Sequence, residues 1–110
     1  MRGIDSGRQH LRSLSIAITL LIGTHLTALA DRWEDRATGP ERRTGNTAVW
    51  TGTEMIIFGG LTIHEQWVSK NTGARYNPAT DTWTALPTDG APNTAEQIAV
   101  WTGTDMLVWG

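Results

Sequence analysis

The sequence predicts an all-β chain built from repeated four-stranded antiparallel sheets, on two observations. The stretch "AVWTGTEMIIFG" at 48–59 returns as "AVWTGTDMLVWG" at 99–110, an offset of 51 residues throughout. Composition agrees: six Trp and twelve Gly stand among 110 residues, alongside many Thr. Trp and Thr suit strands, and Gly suits the turns between them.

Each strand can be justified in order. "NTAVW" and "MIIFG" are two short β-rich runs, joined by a turn at Gly52 and, in the second copy, Gly103. Together they make a hairpin. The run Met55, Ile56, Ile57, Phe58 is apolar at every position, whereas a strand wet on one face alternates. Both faces of this strand are therefore expected to be covered. A looser, polar segment follows, "LTIHEQWVSKNT". "GARYN" then reads as a third strand, "NPATD" as a turn with Pro78 presetting φ, and "TWTAL" as a fourth strand. "PTDGAPNTAE" is a linker. One 51-residue period thus holds four short strands, and a period near 50 points to the blades of a β-propeller.

The doublet Gly59 and Gly60 closes the second strand, and Tyr76 precedes Trp83 by seven residues inside "YNPATDTW". In these features the chain resembles the kelch-repeat propellers, over about residues 42 to 110. The resemblance implies that Tyr76 and Trp83 pack inside the blade and that the ring is incomplete here. Residues 42–95 are one complete blade, and 96–110 are the first hairpin of the next, truncated. The lead-in to the second copy, "NTAEQ" against "RRTGN", is degenerate. "DRWED" echoes "DTWTA", so 31–41 is assigned as an outer strand of an adjacent blade with its linker.

Residues 1–30 have the layout of a secretory leader. Arg2, Arg8 and Arg12 precede an apolar core at 14–22, and Ala28, Leu29 and Ala30 form a small-residue cleavage pattern. As a helix, that core spans only ~14 Å of a ~30 Å hydrocarbon layer. The expectation is an N-terminal signal helix and a secreted or periplasmic protein, touching a membrane only where the leader stays uncleaved. After the leader, six Lys and Arg face ten Asp and Glu, a net of −4, which disfavours nucleic acid and acidic membrane surfaces as partners. The absence of cysteine excludes disulfides, thiolate zinc sites, a cysteine nucleophile and a lipoprotein anchor.

Catalytic signals are sparse. His64 and Ser69 share a loop with Glu65, but no nucleophile elbow surrounds Ser69. His64, Glu65 and Asp81 lack metal-ligand spacing, and no cofactor motif is present. A paired-carboxylate glycosidase stays open, because carboxylate separation is not legible in sequence. The kelch resemblance implies a second reading, a carbohydrate-active enzyme similar to galactose oxidase or the sialic-acid epimerases, with its active site in further blades. A structural surface spacer is the third.

An up-and-down order of four strands puts the second-to-third loop and the linkers between blades on one face. That face would gather His64, Glu65, Gln66, Trp67 and Lys70 with Arg42, Arg43, Asp89 and Asn93. Loops on rigid scaffolds are where binding resides. The leading expectation is a non-catalytic module that binds a protein or glycan through Trp67, Glu65, His64, Lys70 and Arg43, and whose remaining partners are downstream blades of the same chain.

Overall fold

The computed structural model describes residues 10–15, 21–22, 25–26 and 32–110. These residues are all-β, with antiparallel pairing throughout and no helix. The strands are β1 (His10–Ser15), β2 (Leu21–Ile22), β3 (His25–Leu26), β4 (Arg32–Thr38), β5 (Thr47–Trp50), β6 (Met55–Phe58), β7 (Leu61–Ile63), β8 (Trp67–Ser69), β9 (Gly73–Asn77), β10 (Thr82–Ala85), β11 (Ile98–Trp101) and β12 (Met106–Trp109).

The helix expected over the leader does not form in its described residues, which are extended. β1 pairs with β4, Leu14 opposite Trp33, and β2 pairs with β3. A nine-residue apolar run is too short to hold a helix alone in water, where isolated helices need ~12–15 residues. β4 offers an open edge that an extended segment can fill. Residues 1–9, 16–20, 23–24 and 27–30, including the cleavage pattern, lie outside the described residues. Among the described residues no helix is long and apolar enough to cross a membrane.

The central sheet has the order β5-β6-β9-β10, a simple meander interrupted by the β7–β8 hairpin between its second and third strands. Its register places Trp50 opposite Met55, Met55 opposite Tyr76 and Tyr76 opposite Trp83. Tyr76 and Trp83 meet with ring centroids 5.0 Å apart. Among the described residues the buried apolar side chains are Phe58, Ala74 and Tyr76. That is a thin core for a folded sheet, since each fully buried large side chain contributes only about 1.5–3 kcal/mol.

The second hairpin, β11–β12, repeats β5–β6 in pairing and in turn chemistry. Thr51 Oγ1 accepts from the amides of Thr53 and Glu54 at 3.3 and 3.0 Å, and Thr102 Oγ1 does the same for Thr104 and Asp105. Gly52 and Gly103 between them have φ of 105° and 108°. The degenerate lead-in nevertheless keeps its shape: Glu96 adopts φ 55° where Gly45 has 64°. Asn and Asp tolerate this region better than Glu, so the loop holds Glu96 there against its preference.

β11 lies against β5, its counterpart in the sequence repeat, and β10 lies against β4. At the β10 contact, Asp81 Oδ1 accepts from Ala37 N at 2.9 Å, while Trp83 Nε1 donates to Ala37 O at 3.2 Å. At the β11 contact, Gln97 Nε2 donates to Phe58 O at 2.8 Å and Glu96 N to Gly45 O at 2.7 Å. Gly59 and Gly60 make this junction possible. A Cβ on Gly59 would stand 2.5 Å from Gln97 Nε2 and 2.7 Å from Thr94 O; one on Gly60 would stand 2.8 Å from Thr44 O. Both have positive φ, so glycine answers a conformational and a steric demand together.

Candidate functional site

The loop face is built by the β7–β8 hairpin and the linker that leads into β5. Thr44 ties the two together, donating to Leu61 O at 3.0 Å and accepting from Leu61 N at 2.7 Å. On the other side Lys70 bridges to Thr94 of the next linker. A short polar hairpin is thereby clamped at both ends by backbone bonds, which makes it a rigid platform.

Glu41 organises the charges. Its Oε1 lies 2.6 Å from His64 Nε2 and its Oε2 3.5 Å from Lys70 Nζ. The carboxylate thus joins two of the side chains singled out in the sequence, His64 and Lys70. The His64 pair is open to solvent and the Lys70 pair partly so, and such pairs shape the surface more than they stabilise the fold.

Arg43 points the other way. Its Nη1 donates to Gly59 O at 3.0 Å and Thr72 O at 2.8 Å, and its Nε to Glu41 O at 3.3 Å. Partial burial lowers the Arg43 pKa, and the Glu41 charge opposes that shift. The guanidinium braces two strand-end carbonyls, a task the sequence did not suggest.

Between linker and hairpin lies an open depression of about 450 Å³, lined by Glu41, Arg42, Arg43, Thr44, Leu61, Ile63 and Trp67. Trp67 is 60% exposed and Ile63, its cross-strand partner, is equally open. The hairpin therefore presents an apolar pair to solvent beside a ring of charges. Glu65 sits exposed at the hairpin turn, and neither it, Asp89 nor Asn93 lines the depression. Glu41 was missed by sequence reasoning. The available signal was an acidic residue in the linker on the face that already held His64 and Lys70.

Tyr76, Trp83, Gly52 and Gly103 lie in the sheet and its turns and do not line this depression, and neither do Gly59 and Gly60, which sit behind its lining residues Arg43 and Thr44. Burial and the Asp81 carboxylate raise the Tyr76 pKa; the Tyr76 hydroxyl, 2.6 Å away, and the Ala37 amide lower that of Asp81. Among the described residues no three His, Asp or Glu side chains cluster as a metal site would. No known protein family, curated protein or solved structure matches this chain.

Proposed function

We propose that this chain is part of an exported kelch-type β-propeller that acts without catalysis, binding a glycan or protein through the depression beside β7–β8. The observation that carries the reading is Trp67 with Ile63, an apolar pair left open on a doubly clamped hairpin and flanked by Glu41, His64, Lys70 and Arg42. An indole face beside hydrogen-bonding charges suits a sugar ring, whose faces are apolar and whose rim is polar. The same pairing of aromatic anchor and polar rim would serve a protein partner. Four meandering strands per 51-residue period, and the contact of β11 with its counterpart β5, support the propeller reading. Export rests on the leader layout of residues 1–30; its cleavage would remove β1 and leave β4 with an open edge.

A glycan array probed with the chain and with Trp67→Ala tests the site. Loss of an anchor side chain costs about 2 kcal/mol or more, roughly thirtyfold in affinity. Trp67 is outside the core, so the urea midpoint should not move. Undiminished glycan binding by Trp67→Ala would place the site elsewhere; binding by neither protein would favour a protein ligand.

A further inference from the structure

The depression beside β7–β8 is charged as well as apolar, and its charges are unevenly committed. Its two walls, residues 41–44 of the linker and 61–67 of the hairpin, are both internal to the sequence. Glu41 is the one carboxylate among its lining residues, and both of its oxygens are engaged, Oε1 by His64 Nε2 at 2.6 Å and Oε2 by Lys70 Nζ at 3.5 Å. Arg43 is fixed by its hydrogen bonds to the carbonyls of Glu41, Gly59 and Thr72. Carbonyls satisfy its N–H groups without cancelling its charge. Arg42 differs from both. It is exposed, and among the described residues no carboxylate pairs with it.

The lining side chains thus set two guanidinium groups against one carboxylate that Lys70 already offsets, in a chain whose formal net charge is −2. A concave site of one sign draws ligands of the other. We infer that the ligand of this depression is an acidic glycan, one whose rings carry carboxylates as hexuronates do. Arg42 takes the carboxylate, and Trp67 with Ile63 takes an apolar ring face. The inference rests on the reading of the depression as a binding site and adds the charge and class of what it binds.

The chemistry of a hexuronate fits this juxtaposition. Its carboxylate stands one bond from the ring, so a charged planar group and a flat apolar face arrive together. A guanidinium meets a carboxylate with two parallel N–H donors. The indole of Trp67, 60% exposed on the opposite wall, is open to the ring. A volume of about 450 Å³ falls within the ~300–1,000 Å³ of small-ligand sites and suits a short run of sugar rings. A folded protein partner needs a wider surface, about 800 Å² on each side. An acidic peptide brings its carboxylate on a flexible stem, with no ring face fixed beside it.

Titration calorimetry of the full chain with oligogalacturonate, and with the same oligomer methyl-esterified at its carboxylates, tests the inference. The free acid should bind roughly tenfold more tightly than the ester, the effect of one charged hydrogen-bonding group. That advantage should shrink as salt is raised. Arg42→Gln should lose it, and Arg42→Lys should keep part of it, because Lys restores the charge without the fork. Trp67→Ala should weaken binding of both oligomers. Urea midpoints establish that each variant is folded. Equal binding of acid and ester by the wild-type chain overturns the acidic ligand and leaves the glycan site standing. Polyglutamate bound in place of either oligomer overturns it in favour of an acidic peptide. An acid preference that survives both Arg42→Gln and Trp67→Ala overturns the depression itself as the site.

Discussion

Gly59→Ala isolates the junction between units, because Gly90 provides a matched control. Their φ angles are 68° and 73°, so the backbone penalty of an Ala is the same at both, about 1–2 kcal/mol. A Cβ at Gly90 meets nothing within 4 Å. At Gly59 it meets Gln97 Nε2 at 2.5 Å and Thr94 O at 2.7 Å, and the second contact is backbone. The linker must move outward, which takes Gln97 away from Phe58 O and leaves a buried carbonyl without its donor. That loss costs a further ~1–3 kcal/mol. Gly59→Ala should therefore destabilise by about 2–5 kcal/mol and Gly90→Ala by about 1–2. Urea unfolding followed by tryptophan fluorescence measures both. Effects equal within ~0.5 kcal/mol would refute the argument that the doublet is glycine because the next linker passes against it.

The pH dependence follows from Asp81, whose folded pKa is depressed by the Tyr76 hydroxyl and the Ala37 amide. Its stabilising effect is complete above about pH 4, the range of an unfolded carboxyl, and is lost as pH falls through the lower folded value. The stability gap between the chain and Asp81→Asn should narrow as pH falls below about 4 in urea titrations; a gap that stays constant contradicts the assignment. Arg43→Ala strips a charged donor from the carbonyls of Gly59 and Thr72 and should cost about 1.5–3 kcal/mol in the same assay. Unchanged stability with lost ligand binding would instead make Arg43 a ligand contact.

The four strands of the sheet were legible because each signal is local: a β-rich run, a glycine turn, a proline after Asn77. Asn77 does what its neighbourhood suggests, accepting from Ala79 N two residues on. Asp81 has the same kind of sequence setting, yet it bonds Ala37, forty-four residues away. Nothing in the string distinguishes those outcomes, because the second depends on which strand lies beside β10. The β7–β8 hairpin was hidden for a related reason. "LTIHEQWVSKNT" has no turn glycine between its strands, and its pairing is enforced from outside by Thr44 and Thr94. Of the candidate site, the loop face and its His64, Lys70 and Trp67 followed from strand count alone. Glu41, which holds His64 and Lys70, and the bracing role of Arg43 required knowing how the linker folds across the hairpin.

The repeat also shows why burial is not a property of the twelve residues themselves. Trp50 and Trp101 occupy equivalent places in nearly the same words, but one is exposed and the other half-buried. Val49 and Val100 differ in the opposite sense. Which apolar side of a hairpin is covered therefore depends on its neighbour: the sides that carry Phe58 in β6 and Trp101 in β11 are covered where the two hairpins face one another. Phe58, Ala74 and Tyr76 are the buried apolar side chains among the described residues, so the contact between the two hairpins adds materially to stability. Thr94 holds both Gly60 and Lys70 while Gln97 caps Phe58 O, so one linker secures the junction between the hairpins together with the base of the β7–β8 hairpin.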